Sequence, residues 1–180
     1  MKTSTFLFFL LLWNMIPLAK ATPPTGPSGD KLLGVLPLIN QKVRYAAVVD
    51  CGSVSQAELF RRTRLWLLQT GADETLALND PQTGDLAGRV KLTVQIPRSE
   101  SSSGGVYRFR GTVLVECANR KYRATLTRLQ VEDANGQPLA IETYGQRSEK
   151  DLQAAYAELD KQLKTLLASL EEEVKNYPAF

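Results

Sequence analysis

The sequence contains no histidine and only two cysteines. Histidine is the commonest general base and metal ligand, so its absence argues against the usual catalytic triads and against histidine-based metal sites. The cysteines, Cys51 and Cys117, are far apart in the sequence and form neither a CxxC pair nor a zinc-ligand spacing. We therefore expect no enzymatic activity, no metal site and no cofactor.

Beyond the N-terminal residues, the sequence lacks any hydrophobic run long enough to cross a membrane. Residues 1–21 have the features of a cleavable secretory signal: a positive start at Lys2, an apolar stretch at 6–13 and a small-x-small pattern at 19–21. No cysteine follows at which a lipid would be attached. We predict cleavage after Ala21 and export to the periplasm or the cell exterior, without a lipid anchor or a transmembrane segment.

The sequence also lacks a clear excess of either positive or negative charge. The chain has 22 basic and 19 acidic residues, and removal of the signal would take away Lys2 and Lys20 and no acid. The mature protein would therefore be almost neutral, and any argument for an anionic partner depends on where the charges lie.

The composition changes along the chain. Residues 22–30 are rich in Pro, Gly, Ser and Thr, which is typical of a flexible segment. Residues 31–40 are apolar but interrupted by Gly34 and Pro37, so we expect them to lie against the domain without forming a helix or strand of their own. The predicted segments are a signal peptide (1–21), a flexible leader (22–35), an α+β core (36–147) and a C-terminal amphipathic helix (148–177).

The core begins with a predicted strand at 44–50 and a turn at Cys51. A helix follows, for which Ser55 and Glu58 form a capping box and Gly71 marks the end. Its apolar face is predicted to contain Leu59, Phe60, Thr63, Trp66, Leu67 and Thr70.

Four strands are predicted after this helix. A short strand at 75–79 leads into the turn at 80–84, and the strand at 86–96 alternates strictly between apolar and polar residues. A loop at 97–105 and a strand at 106–117 follow. The inward residues are predicted to be Leu86, Gly88, Val90, Leu92, Val94 and Ile96, and then Tyr107, Phe109, Gly111, Val113, Val115 and Cys117.

The last of the four strands follows a turn at 119–121. Its inward residues are Tyr122, Ala124 and Leu126, but the alternation then shifts to Leu129 and Val131. This change of phase predicts a β-bulge near Thr127. A turn is predicted at 133–136, and the chain is predicted to be irregular from there to Gly145.

The C-terminal helix is predicted from Ser148 until Pro178 stops it. Its apolar stripe consists of Leu152, Tyr156, Leu159, Leu163, Leu166, Leu170 and Val174. We predict that the stripe packs on the apolar face of the sheet, which needs a cover. The alternative is a coiled-coil seam.

The predicted order is β-α-β-β-β-β-α, with an antiparallel sheet. Residues 36–67 resemble the start of a bacterial family known as domain of unknown function 4468. The resemblance covers about residues 36–131 and is carried by Pro37, Tyr45, Val48, Val49, Ser55, Glu58, Leu59 and Trp66. It implies a curved sheet with helices on one face, similar to one repeat of the TATA-binding protein, and an exported setting. It implies no catalytic residue.

The resembled fold also has a consequence for the cysteines. It pairs the first strand with the last, which leaves one strand between Cys51 and Cys117. Strands are spaced by about 4.8 Å, so the two Cα atoms would be about 10 Å apart, beyond the limit of about 7 Å for a disulfide. We predict two free thiols; a disulfide is the alternative in an oxidising compartment.

Aromatic residues lie at inward positions: Tyr45, Trp66, Tyr107, Phe109 and Tyr122. We predict that they fill the core. The alternative is a carrier that holds a small apolar ligand between the C-terminal helix and the sheet. A cavity bordered by Tyr45, Phe109 and Leu163 would favour that alternative.

Two other patterns carry weaker chemical signals. The serines at 99–103 have no base beside them that would activate a nucleophile. Asp80 and Asp85 flank a turn but lack the ligand-rich spacing of a calcium loop. We interpret both as loop and turn residues.

The outward face of the sheet gives the main candidate site. Alternation places five cations on this face: Arg89, Lys91, Arg108, Arg110 and Arg123. Glu116 is predicted to pair with Arg123 across a hairpin, whereas Lys91 would face Arg110 and repel it. Arg89 and Arg108 are predicted to have no acid beside them.

An anion laid across the central strands would relieve this repulsion. The partner would be an anionic glycan, a lipid headgroup or another envelope protein. DNA is less suitable, because the TATA-binding protein inserts apolar wedges into DNA and this face has no aromatic residue. The alternative is an ordinary solvated face, on which cations are screened over about 10 Å. The sequence thus predicts an exported, non-catalytic binding or accessory domain.

Overall fold

The computed structural model describes residues 31–70, 76–100, 102–145 and 148–177. The predicted signal peptide, the leader up to residue 30 and the predicted helix stops at Gly71 and Pro178 lie outside the described residues. The strands are β1 (Lys31–Leu32), β2 (Leu36–Ile39), β3 (Lys42–Val43), β4 (Tyr45–Asp50), β5 (Leu78–Asp80), β6 (Asp85–Ile96), β7 (Gly105–Ala118), β8 (Lys121–Glu132) and β9 (Pro138–Ala140), and the helices are α1 (Gln56–Gln69) and α2 (Glu149–Lys175).

The main sheet has six strands. Five follow the order β4-β8-β7-β6-β5, and β9 pairs with the far end of β8. All of these pairs are antiparallel. Both helices pack on one face of the sheet, α1 against β6, β7 and β8, and α2 against β6 and α1. The predicted α+β class with an antiparallel sheet is confirmed.

The inward side chains predicted for β6 and β7 are buried or half-buried. The apolar stripe of α2 faces the sheet, and Leu152, Tyr156, Leu159, Leu163, Leu170 and Val174 are all buried. The stripe therefore covers the sheet, as predicted, and is not a coiled-coil seam.

The predicted leader is wrong for residues 31–35. Lys31–Leu32 already form a strand that pairs with β2, and β2 pairs with β3. Leu36 and Val43 are fully buried in the core cluster. The prediction failed because strands this short offer too few positions for alternation to be recognised. In addition, Gly34 and Pro37 are residue types that usually indicate turns and loops.

The structure also contains β9, within a segment that was predicted to be irregular. Its residues pair with Gln130, Val131 and Glu132 at the end of β8. This strand extends the sheet beyond the bulge.

The start of α1 differs in part from a capping box. The Glu58 amide donates to Ser55 Oγ at 3.3 Å, as predicted. The Glu58 carboxylate instead accepts hydrogen bonds from Arg61 and Arg62, at 2.8 to 2.9 Å. The helix receives a second cap from Asn119 Oδ1, which accepts from the Gln56 amide at 2.9 Å. Two arginines on the next turn outcompete the backbone amide for the carboxylate because they bring full positive charge.

The predicted bulge is present in β8. Arg110 pairs with Gln130 and Thr112 pairs with Thr127, so two residues of β8 lie opposite Gly111 alone. Arg128, within the bulge, has a φ of 54°. The extra residue restores an inward position for Leu129, which is 1% exposed.

Buried side chains occupy the region beneath α2 where the cavity of a carrier would lie. Tyr45, Phe109 and Leu163, which would border the cavity of a carrier, are all buried. The Phe109 ring centre lies 6.3 Å from that of Tyr156, and the Tyr45 hydroxyl donates to Asp160 at 2.7 Å. These contacts support the core interpretation of the aromatic residues and not the carrier hypothesis.

Both cysteines lie within the described residues, and both are free thiols. In the register of the sheet, Val49 of β4 lies opposite Tyr122 of β8, which lies opposite Cys117 of β7. Cys51 follows β4 by one residue, so β8 separates the two cysteines as predicted. Burial raises the pKa of the Cys117 thiol to about 11.

Candidate anion-binding surface

The face of the main sheet opposite the helices, here called the open face, contains the predicted cations. On its central strands, Arg89 lies opposite Thr112, Lys91 opposite Arg110, and Arg108 opposite Thr93. The predicted register between β6 and β7 is therefore correct, and Lys91 and Arg110 are cross-strand neighbours of like charge.

A depression of about 360 Å³ lies on the open face at this point. Four cationic side chains from three adjacent strands line it: Arg89 and Lys91 of β6, Arg110 of β7 and Arg128 of β8. The remaining lining residues are Val90, Gly111, Thr112, Gln130 and Pro138. Among the residues that the structure describes, no carboxylate lines the depression, so the charged side chains of its lining are all positive.

Arg108 has an acidic neighbour, which corrects the sequence prediction. Glu132, at the end of β8, lies 3.9 Å from the Arg108 guanidinium and accepts a hydrogen bond of 2.5 Å from Arg110. The Glu132 side chain is only 15% exposed, whereas those of Arg108 and Arg110 are 66% and 45% exposed. Glu132 thus binds Arg110, whose side chain remains partly exposed. The pairing was missed because the bulge changes which residue of β8 lies beside Arg108.

Arg123 does not belong to the depression. It lies opposite Glu116, as predicted, and makes two hydrogen bonds of 2.5 and 2.6 Å to that carboxylate. The bonds from Arg123 hold the pKa of Glu116 below its usual value and raise the pKa of Arg123. Its charge is already balanced, so the structure brings together Arg89, Lys91 and Arg110 and leaves Arg123 apart.

Arg128 is the site residue that the sequence prediction missed. The predicted change of phase near Thr127 contained the necessary signal, because it turns Leu129 and Val131 inward and Arg128 and Gln130 outward. In the structure both outward residues line the depression.

The other candidate residues have structural partners. Asp80 Oδ1 accepts from the amides of Gln82 and Thr83 at 2.9 and 3.3 Å, and these bonds hold the pKa of Asp80 below its usual value. The Ser103 hydroxyl donates to Asp151 at 2.9 Å and ties the loop after β6 to the start of α2. Within the described ranges, no group of three or more Asp, Glu or Cys side chains is arranged to hold a metal ion.

Neither helix in the described part of the chain has both the length and the hydrophobicity needed to span a bilayer.

Residues 45–132 match the model of a family described as "Domain of unknown function (DUF4468) with TBP-like fold". A DUF4468 family protein from Bacteroides ovatus ATCC 8483 has a similar structure, with a TM-score of 0.60 and 14% identity over 82% of this chain and 96% of that one. A TBP-like protein from Parabacteroides distasonis ATCC 8503 is also similar, with a TM-score of 0.58 and 14% identity over 78% of this chain and 97% of that one. No curated protein sequence is significantly similar to the chain. At such low identity the structural likeness establishes the fold alone.

Proposed function

We propose that this chain, whose residues 45–132 form a DUF4468 domain with a TBP-like fold, is an exported, non-catalytic binding domain that holds an anionic ligand on its open face. The observation that carries the proposal is the depression lined by Arg89, Lys91, Arg110 and Arg128. These four side chains come from three adjacent strands, so their positive charges lie together and would attract an anion placed in the depression.

The burial of the aromatic residues supports a surface site over an interior one. A ligand bound between the helices and the sheet would need space that Phe109 and Tyr156 occupy. The open face, by contrast, bears the depression and remains accessible.

The test is salt-dependent binding to heparin and to vesicles that contain an anionic lipid. The purified mature protein should bind at least one of them at low salt, and binding should weaken as salt rises. The double variant Lys91→Gln with Arg110→Gln should bind about tenfold more weakly or worse, since charge-assisted contacts contribute about 1.5–3 kcal/mol each.

The matched control is the double variant Lys150→Gln with Lys161→Gln. Both lysines are exposed on α2, away from the open face, and the change in net charge is the same. This variant should bind like the parent. The proposal fails if the parent does not bind either probe at low salt, or if both double variants bind equally.

Export is part of the proposal and has its own test. The features of residues 1–21 support cleavage after Ala21. N-terminal sequencing of protein recovered from outside the cytoplasm should therefore begin at Thr22. A soluble cytoplasmic pool that retains Met1 would contradict this part.

A further inference from the structure

We infer that the depression recognises a tetrahedral oxyanion, the phosphate or sulfate group of an ester, and that Arg128 provides this selectivity. The inference rests on the proposed function, because it names the ligand class of the same site. It depends on two features: the backbone of Arg128 and the position of three arginines on three neighbouring strands.

The backbone of Arg128 is in the left-handed region, with a φ of 54°. Glycine is favoured at such a position, and side chains with a Cβ adopt it at a cost in stability. Residues held in this conformation are often functional, since the strain persists only when the surrounding structure imposes it. Here an arginine occupies the place that glycine would fill with less strain, and its side chain lines the depression.

The surroundings of the bulge are built to keep this conformation. Gly111 lies opposite the bulge, and a Cβ added to Gly111 would come within 2.8 Å of Leu129 Cδ2. The absence of that Cβ lets Leu129 enter the core, where it is 1% exposed. Burial of Leu129 thereby fixes its neighbour Arg128 on the open face.

The cations approach the depression from three strands. Arg89, Arg110 and Arg128 belong to β6, β7 and β8, which are neighbours in the sheet. A planar carboxylate is satisfied by one guanidinium that binds both of its oxygens. A phosphate or sulfate ester has three terminal oxygens in a pyramid, which accept hydrogen bonds from several directions. The arrangement of three arginines suits the tetrahedral group better.

The depression also has room for such a group. The volume, about 360 Å³, suits the charged group together with part of one attached sugar or glycerol unit.

The first experiment measures binding of inorganic sulfate, inorganic phosphate and malonate to the mature protein by NMR titration at constant ionic strength and pH 7.5. Malonate is the control because it is a dianion made of two carboxylates. Sulfate or phosphate should bind at least fivefold more tightly than malonate, with amide shifts centred on the depression. Equal affinity for all three would overturn the selectivity.

The second experiment compares Arg128→Gly with Arg120→Gly. Arg120 also has a left-handed backbone, with a φ of 73°, but lies in the hairpin turn between β7 and β8, outside the depression. Arg128→Gly should lose most of the affinity for the tetrahedral anion and melt at the same or a higher temperature than the parent. Arg120→Gly should keep the affinity. Arg128→Lys should keep part of it, because it retains the charge without the planar fork of donors.

The results separate this inference from the proposed function. If Arg128→Gly binds like the parent while Lys91→Gln with Arg110→Gln still weakens heparin or vesicle binding, the role of Arg128 is overturned and the proposed function stands. If the parent binds neither heparin nor anionic vesicles at low salt, both the inference and the proposed function are wrong.

The source of the anionic group can also be identified. Preference for sucrose octasulfate over phosphatidic acid vesicles identifies a sulfated sugar as the source of the group, and the reverse preference identifies a phosphate-headed lipid. Either preference supports the tetrahedral class.

Discussion

Two buried tyrosine hydroxyls differ in how their hydrogen-bonding capacity is met. Tyr156 donates to the carbonyl of Ile141 at 3.1 Å, in a fully buried position. Tyr122 is 1% exposed, and its hydroxyl has no hydrogen-bond partner among the described residues. A buried hydroxyl without a partner costs free energy, whereas one with a partner contributes to stability.

This difference predicts opposite effects for the same chemical change. Tyr122→Phe should raise the free energy of unfolding by about 1 kcal/mol, and Tyr156→Phe should lower it by about 1 kcal/mol. Denaturation of both variants in urea measures the two values. A loss of stability in Tyr122→Phe as large as that in Tyr156→Phe would show that its hydroxyl is satisfied after all.

Gly84 combines two constraints at the turn between β5 and β6. Its φ is 83°, and a Cβ there would lie 2.5 Å from the Cys117 carbonyl oxygen. Gly136 has a similar φ of 77° but open space around the Cβ position. The pair therefore separates the effect of the backbone from that of crowding.

Gly136→Ala should lower the free energy of unfolding by about 1 kcal/mol, from the left-handed backbone alone. Gly84→Ala should lower it by about 1–3 kcal/mol more, because backbone atoms must move. Thermal or urea unfolding of both variants gives the comparison. Equal losses would mean that the turn at Gly84 relaxes freely.

The sequence predicted residues best where alternation is unbroken. Val90 and Val113 were placed inward, and Lys91 was placed opposite Arg110, because both strands keep one register over their full length. Arg128 was missed although the predicted change of phase turns it outward. The pairing of Glu132 was not foreseen, because a bulge changes the cross-strand register by an amount that alternation within one strand does not specify.

At the scale of the element, one carboxylate in the first turn of α1 binds two arginines of the next turn. Glu58 accepts hydrogen bonds from both Arg61 and Arg62, and these bonds lower the pKa of Glu58 to about 2. Arg62 in turn donates to the carbonyl of Val174 at 2.8 Å, so the cluster also links α1 to the end of α2.

This pKa shift predicts a pH-dependent contribution to stability. The carboxylate is favoured in the folded state, so the contribution is present above the ordinary pKa of 4.5 and is lost as the pH falls toward 2. Glu58→Gln should reduce the loss of stability over this range, by up to about 1 kcal/mol because the site is partly exposed. Urea unfolding at several pH values measures it, with Glu172→Gln on the exposed surface of α2 as the control. Parallel pH profiles for the parent and Glu58→Gln would contradict the prediction.

The long elements were predicted from the sequence, whereas the short strands β1, β2, β3 and β9 were not. The stripe of α2 repeats over many turns, and β6 and β7 alternate over 12 and 14 residues. β1 and β3 have two residues each and β9 has three, beginning at Pro138. Such short strands are defined by their hydrogen bonds to a neighbouring strand. The residues of the short strand alone therefore do not predict it.

For the molecule as a whole, the core extends beyond the family match. The match begins at residue 45, but Leu36 and Val43 are fully buried. The Val43 amide donates to Glu142 at 2.9 Å, which joins the first small sheet to the segment after β9.

Removing this part should therefore destabilise the domain. A chain of residues 45–180 should have a free energy of unfolding about 3–6 kcal/mol below that of residues 31–180, because two buried aliphatic side chains are lost. A chain of residues 31–180 should be as stable as one of residues 22–180. Equal stability of all three chains in urea would show that β1 to β3 are an accessory to the domain.

Under the proposed export, the position of β8 between the two cysteines has a consequence for folding in an oxidising compartment. The native sheet keeps the thiols apart, so only a chain that has not yet formed its sheet can join Cys51 to Cys117. Such a cross-link would exclude β8 from its place and prevent the sheet from closing. Folding thus competes with oxidation, and formation of the sheet is what protects the thiols from each other.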